Sequence, residues 1–223
     1  MKAPVRDGLG VGIAVGVSGV AFGAAAVTAG LDVLQACALS LFAFTGASQF
    51  ALIGVVAGGG NLVAGTAGAL LLGGRNTLYG LRLAGLLGVR GARRGLAAQG
   101  VIDETTAVAL AQPSPEAART AFTATFVSLY LCWNLTTLIG AAGTELVADP
   151  AALGLDVVGP ATFLALLWPR LKESGQVRLI AVLGAVTAVA TASFLPPGVP
   201  VLLAASAVLV VTLRPRSDRA TEK

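Results

Sequence analysis

The sequence contains no histidine, and only 12% of its 223 residues are charged. Without imidazole there is no His-based general acid or base, no His metal ligand and no His proton relay. The two cysteines, Cys37 and Cys132, lie in separate apolar runs without CxxC spacing, which favours free thiols over a disulfide or a metal site. The charge content is about half that of soluble domains, so polar surface is too scarce for an ordinary water-soluble enzyme.

The sequence instead contains long stretches without any charged residue. Hydrophobic residues make up 56% of the chain, and four stretches carry no charge at all: 8–31, 33–74, 120–144 and 179–213. Because about 20 apolar residues span a bilayer as a helix, each stretch is long enough for at least one crossing. The sequence therefore predicts an all-α, polytopic membrane bundle in one transmembrane domain, residues 1–213, followed by a charged cytoplasmic tail, 214–223.

The distribution of Lys and Arg predicts the orientation of this bundle. Basic residues cluster at the N-terminus, at 82–94, at 170–178 and in the tail, and all four clusters are expected in the cytoplasm, together with both termini. The acidic connection that holds Glu145, Asp149 and Asp156 is expected outside, as is the 196–198 turn, and Trp168-Pro169 is expected to end a helix at the interface. These constraints predict six full spans, near 8–30, 60–81, 120–140, 157–169, 179–195 and 199–213.

Two further apolar segments begin and end on the same side of the membrane in this arrangement. Segments 33–57 and 95–112 are therefore expected to be helical hairpins or broken, re-entrant segments, which brings the total to seven or eight hydrophobic elements. In the first span, glycines recur at helical spacing, at positions 8, 12, 16, 19 and 23. Such a face of small residues predicts the close approach of a neighbouring helix.

A polar group interrupts the 33–57 segment. Gly46 permits a helix break there, and Thr45, Ser48 and Gln49 bring hydroxyl and amide groups to membrane depth. Backbone N–H groups that are freed at a new helix N-terminus can bind a carboxylate. The alternative interpretation is that these side chains only join helices by hydrogen bonds.

Arg75 follows 42 uncharged residues. A charge within a membrane segment is costly and therefore suggests a function. Gly73 and Gly74 are expected to unwind the helix just before it, and Asn76 and Tyr79 follow within about one turn. The alternative interpretation is that the span ends early and that the Arg75 side chain reaches the interface as part of the positive-inside signal.

Asp103 and Glu104 form an acidic pair beside a membrane segment. A carboxylate there can take a substrate ammonium or carry a proton, and without histidine such carboxylates are the leading titratable candidates. Adjacent positions face different sides of a helix, so at most one of the two is expected to act. The alternative is a solvated loop beside Arg93 and Arg94.

Three motifs in this order resemble the large subunit of the AzlC-type branched-chain amino-acid exporters: FAFTGASQFA (42–51), RNTLYG (75–80) and DETTAVA (103–109). The stretch 149–172 and the chain length extend the resemblance over nearly the whole chain. The resemblance implies a permease of the bacterial inner membrane that exports leucine, isoleucine, valine and often methionine. It also implies coupling to the proton gradient and a small hydrophobic AzlD-type partner subunit. The family pattern has Asn and His at the positions of Gly73 and Asn76.

The resemblance suggests a role for each candidate residue in binding the substrate or the coupling proton. The substrate carboxylate would meet the broken helix at 46–49 or the Arg75 guanidinium, and Asp103 or Glu104 would take the ammonium or the coupling proton. The aliphatic side chain would lie against three phenylalanines, Phe42, Phe44 and Phe50. No catalytic residue, cofactor, metal or nucleic acid is expected, since neither GxSxG nor HExxH occurs. A non-transporting scaffold subunit, a permease for another small amino or organic acid, and a homo-oligomer remain open alternatives.

Overall fold

The computed structural model describes residues 2–147, 154, 157–195 and 199–212, and the regular elements within these ranges are all α-helices. The predicted tail, Asp149, Asp156 and the 196–198 turn lie outside the described residues. The helices in chain order are α1 (Lys2–Gly16), α2 (Gly19–Thr28), α3 (Val33–Phe42), α4 (Ala47–Ala57), α5 (Leu62–Gly73), α6 (Arg75–Leu87), α7 (Ala92–Gln99), α8 (Asp103–Leu110), α9 (Pro115–Glu145), α10 (Val158–Glu173), α11 (Gly175–Ala192), α12 (Val199–Ala204) and α13 (Ser206–Thr212).

Three helical segments of the described chain are long and apolar enough to cross a membrane. They are Ala3–Thr28, which joins α1 to α2, Pro115–Glu145 and Gly175–Ala192. α3 and α4 are apolar but have only 10 and 11 residues, about half of what a full crossing needs. The predicted helical membrane fold is thus supported, whereas the count of six full spans stays a prediction.

The 31-residue helix α9 is the centre of the bundle. Ser114 caps its N-terminus, accepting a hydrogen bond from the Ala117 N–H at 3.2 Å, and Pro115 occupies the first turn, where no N–H is needed. α1, α2, α3 and α8 pack around it. Trp133 of α9 stacks on Phe22 with ring centroids 5.9 Å apart, and Phe50 meets Phe22 edge-on at 5.5 Å, so these buried aromatic rings form the core.

The predicted glycine face is confirmed, and its neighbour is α9. A Cβ added to Gly8 would lie 2.9 Å from the carbonyl oxygen of Ala121, and one added to Gly16 would lie 2.5 Å from the Cβ of Cys132. The Gly16 carbonyl accepts a hydrogen bond from Thr136 Oγ1 at 2.7 Å. The absent side chains therefore let two backbones approach closely enough for a side chain of one helix to bond the main chain of the other.

Segments 33–57 and 95–112 are each divided into two short helices, as predicted. In the first, α3 ends at Phe42 and α4 begins at Ala47, and Gly46 between them has a φ of 61°, where only glycine is unstrained. Asp32 fixes the start of α3, because its carboxylate accepts the Gln35 N–H at 2.7 Å. The second segment is divided between α7 and α8.

Two expected helix interruptions are wrong. Gly74 keeps helical angles (φ −56°, ψ −27°), and its N–H donates to the Leu70 carbonyl at 2.8 Å, so α5 runs into α6 almost without interruption and on to Leu87. Two glycines weaken a helix without unwinding it when their backbone groups stay paired. Pro169 also fails to end its helix: α10 continues to Glu173, and Lys172 lies over the Trp168 ring at 5.3 Å.

Candidate functional site

A cavity of about 490 Å³ lies between the α3–α4 break and the α5–α6 junction. Thr45, Ser48 and Gln49 line it from one side, and Asn76 and Thr77 line it from the other. The structure thereby brings together two motifs that are about 30 residues apart in the chain. The volume lies within the range of about 300–1,000 Å³ that is typical of small-molecule sites.

Leucine side chains supply much of the apolar lining of this cavity. Leu39, Leu52 and Leu70 come from α3, α4 and α5. The phenylalanines expected in this role lie elsewhere: Phe44 and Phe50 are buried in the core, and Phe42 is 82% exposed on the surface. The walls are thus mainly aliphatic with a few polar residues among them, which suits a small molecule that carries both kinds of group.

Gln49 holds the broken helix together. Its Oε1 accepts hydrogen bonds from the Gly46 N–H at 3.0 Å and the Thr45 N–H at 3.3 Å. Two backbone donors require an acceptor at this position, which assigns the oxygen and leaves Nε2 on the other side. Gln49 is only 1% exposed, and its Nε2 has no hydrogen-bond partner in the described part of the chain. A cavity-lining residue therefore carries a buried amide donor without a partner in the described chain.

The start of α4 offers further donors beside that amide. The N–H groups of Gln49 and Phe50 donate to the Gly46 carbonyl at 3.0 and 3.2 Å. Among the described residues, the backbone N–H groups of Ala47 and Ser48 meet no acceptor. Free N–H groups and the helix dipole together favour an anionic group at such a terminus.

On the α3 side of the break, the exposed carbonyl groups are paired by residues that were not predicted from the sequence. The carbonyl oxygen of Leu41, near the end of α3, accepts hydrogen bonds from Gln99 Nε2 at 2.9 Å and from the Tyr130 hydroxyl at 3.1 Å. A broken helix leaves carbonyl groups unpaired at its C-terminal end, so partners for them are required. That requirement is readable from the sequence, but the identity of the partners is not.

Arg75 and Asp103 form an ion pair, with Nη2 and Oδ2 2.8 Å apart. Arg75 lies half-way along the almost continuous α5–α6 helix, and Asp103 opens α8. The two side chains are 37% and 39% exposed, and Tyr79 is close enough to interact with both charges. From the sequence these charges were expected to have separate roles, although a charge within an apolar region generally requires a partner of opposite sign.

The predicted site residues thus fall into two groups. Thr45, Ser48, Gln49 and Asn76 line the cavity, and Gly46 makes the break that shapes it. Arg75, Tyr79 and Asp103 meet at the ion pair, outside the cavity lining. Glu104 follows Asp103 in the first turn of α8, is partly buried and forms no ion pair with a described residue.

The first turn of α6 connects the two groups. Arg75 is flanked in the chain by Gly74 and Asn76, which both line the cavity. A movement of this turn would therefore change both the ion pair and the cavity wall. No group of three or more His, Cys, Asp or Glu residues that could hold a metal occurs in the described ranges.

Comparison with known proteins identifies the family of this chain. A family model described as AzlC protein matches residues 10–147, more than half of the chain. The matched range includes both cavity-lining motifs, the ion pair and the central helix α9. No curated protein and no solved structure matches the sequence significantly. The chain belongs to the AzlC family, a transporter-type rather than an enzyme family, and is accordingly a membrane protein related to branched-chain amino-acid transport.

Proposed function

We propose that this protein is a secondary transporter that exports leucine, isoleucine and valine, with methionine as a further substrate, across the bacterial inner membrane. The observation that carries the proposal is the cavity at the broken helix, whose lining combines polar residues of the break, one of them with an unpaired amide donor, with leucine side chains. Family membership supports the substrate class. Broken helices that surround a central site are typical of secondary transporters.

The substrate carboxylate is proposed to bind at the start of α4. The N–H groups of Ala47 and Ser48 and the free amide Nε2 of Gln49 are donors there, and the helix dipole adds a favourable field. The branched side chain would lie against Leu39, Leu52 and Leu70. Amino acids with small or polar side chains would bury less apolar surface and bind less well.

The Arg75–Asp103 pair is proposed to couple transport to protons. Protonation of Asp103 removes its negative charge and weakens its attraction for Arg75, 2.8 Å away. The released guanidinium becomes available to a carboxylate, and the first turn of α6, which also forms the cavity wall, is free to move. Glu104 is the second candidate for the coupling proton or for the substrate ammonium.

A small hydrophobic partner subunit of the AzlD type is proposed as part of the working transporter. α11 buries none of its described residues against the rest of this chain. Its apolar side chains include Val182, Val186 and Val189, which are 59%, 60% and 75% exposed and recur at helical spacing. This face is available to lipid, to the partner or to a second copy of the chain. Both termini are proposed to lie in the cytoplasm.

Leucine efflux tests the proposed function. Cells that lack their own exporters are loaded with a leucine-containing dipeptide, and external leucine is followed with this chain expressed alone or together with its small partner. Efflux in either arm supports the proposal, and the difference between the arms measures the need for the partner. If neither arm exports leucine although the protein is verified in the membrane, leucine export is rejected. Efflux of other amino or organic acids in the same cells would then identify a different permease, and no efflux of any would favour a scaffold subunit.

A further inference from the structure

A second, larger cavity of about 760 Å³ lies in the crevice between α6 and α7. Apolar side chains form much of its lining, among them Leu81, Leu87 and Val101. Arg90 and Arg94 belong to the same lining. The crevice is thus amphipathic, because it combines two guanidinium groups with hydrocarbon side chains.

Helix α7 forms one wall of this crevice and has the character of an interfacial helix. None of its eight residues is buried. Arg93 and Arg94 are exposed, and Leu96, two residues further on, is 70% exposed. A short helix with cationic and apolar side chains on its surface is suited to the boundary between lipid headgroups and acyl chains.

The arginines of the crevice have no counter-charge within the described chain. The ion pairs found among the described residues are Arg6 with Asp7 and Arg75 with Asp103, so neither Arg90 nor Arg94 contacts a carboxylate there. The positive-inside tendency explains why arginines occur in this region. It does not require two of them to line the same crevice as apolar side chains.

We propose that the α6–α7 crevice binds an anionic phospholipid. Arg90 and Arg94 hold the phosphate of the headgroup, and an acyl chain lies against Leu81, Leu87 and Val101. Guanidinium groups bind phosphate oxygens through paired charged hydrogen bonds, and basic pockets between membrane helices suit such headgroups. A free phosphate ion is the weaker candidate, because it would gain nothing from the apolar wall. The crevice shares Asn76 and Thr77 with the proposed leucine site, but the residues proposed to hold the lipid do not line that site, and the proposal does not depend on the transported substrate.

Lipid titration of the full-length protein in detergent micelles, followed by native mass spectrometry, tests this proposal. The probes are phosphatidylglycerol, phosphatidylcholine of the same acyl chains and inorganic phosphate. We expect one saturable phosphatidylglycerol site that phosphatidylcholine fills only weakly and that inorganic phosphate does not block. Replacing Arg90→Gln together with Arg94→Gln should weaken phosphatidylglycerol binding about 30-fold, which corresponds to about 1 kcal/mol for each arginine.

Two further variants separate a built site from general surface charge. The matched control, Arg82→Gln with Arg178→Gln, removes the same charge from exposed arginines that do not line the crevice, and it should retain phosphatidylglycerol binding. Ala98→Trp fills the crevice without changing charge and should also weaken binding. If the Arg90/Arg94 variant does not insert into the membrane, phosphatidylglycerol binding by Ala98→Trp tests the proposal instead.

Four results would overturn the proposal. They are equal loss in the crevice and control arginine variants, no loss in the crevice variants, equal binding of both lipids, and displacement of phosphatidylglycerol by inorganic phosphate.

Discussion

Gln49 caps the broken helix with one side-chain atom and is proposed to bind the substrate with the other. The substitution Gln49→Glu tests the second role while keeping the first. Its Oε1 accepts the Gly46 and Thr45 N–H groups, which holds the broken helix, and its Nε2 is the unpaired donor proposed for the substrate carboxylate. Gln49→Glu keeps an oxygen for both backbone donors and replaces the free amide by a second oxygen. The hydrogen bonds that cap the broken helix remain, whereas the new carboxylate lies at a residue only 1% exposed and has a desolvation cost, so the amount of protein in the membrane must be compared with that of the wild type.

The expected loss of leucine affinity follows from the lost hydrogen bond. A hydrogen bond to a charged partner contributes about 1.5–3 kcal/mol, which corresponds to about 10- to 150-fold in affinity. The new carboxylate also repels the carboxylate of leucine, so the effect should lie towards the upper end of this range. Gln49→Leu should differ, because it leaves two partly buried backbone donors unpaired, at a cost of about 1 kcal/mol of stability for each.

The half-saturating leucine concentration for efflux, together with the amount of protein in the membrane, measures these effects. Gln35→Glu is the matched control, since Gln35 caps the start of α3 in the same way, accepting the Asp32 N–H at 3.0 Å, and does not line the cavity. The control should keep wild-type leucine affinity. If Gln49→Glu also keeps it at normal abundance, the Gln49 amide does not bind the substrate and the reasoning is refuted.

Three more predictions concern the ion pair, the glycine face and the helix break. Arg75→Gln or Asp103→Asn alone should each abolish efflux and lower membrane abundance, because the remaining charge loses its partner. Since the two side chains are 37% and 39% exposed, the cost in stability should be only about 1 kcal/mol. The double variant should recover abundance but not efflux. Gly23→Ala should lower the thermal unfolding midpoint, because its Cβ would overlap a backbone carbonyl of α9, and cost about 1–3 kcal/mol. Tyr130→Phe should cost about 1 kcal/mol in the same assay by removing the hydrogen bond at the end of α3.

Each of these predictions has its own control or contradicting result. Normal efflux from the double-neutral ion-pair variant would remove both charges from the mechanism. Gly10→Ala is the matched control for the glycine face, since a Cβ at Gly10 meets no atom within 4 Å, and equal destabilisation by both alanines would contradict the packing argument. An unchanged unfolding midpoint for Tyr130→Phe would show that its hydrogen bond does not stabilise the break.

Local features of the fold were readable from the sequence. The glycines of α1 and α2 recur at helical spacing, and small residues at that spacing serve one purpose in a membrane helix, the close approach of another helix. The break at Gly46 was also predictable, because glycine and polar side chains coincide in an otherwise apolar stretch. The expectation at Gly74 was wrong, since the Leu70 and Leu71 carbonyls still pair with its N–H.

Long-range placement was not readable from the sequence. That the Ser48 segment and the Asn76 segment share one cavity depends on how α4 packs against α5, which no local pattern encodes. The pairing of Arg75 with Asp103 could have been inferred from the cost of an unpaired charge, but the choice between Asp103 and Glu104 required the geometry. The same holds for Tyr130, whose hydroxyl pairs with a carbonyl 89 residues earlier in the chain.

Protection of one thiol by leucine tests the central claim, that the cavity at the broken helix binds the transported amino acid. Cys37 and Cys132 are first replaced by alanine, and Ser48→Cys then places a single thiol in the cavity wall. A small polar thiol reagent is expected to label this thiol in membranes, and leucine should slow the labelling saturably while leaving a thiol at Ala98 in the α6–α7 crevice unaffected. Labelling of the Ser48→Cys thiol at the same rate with and without leucine, or no labelling at all, would contradict the account.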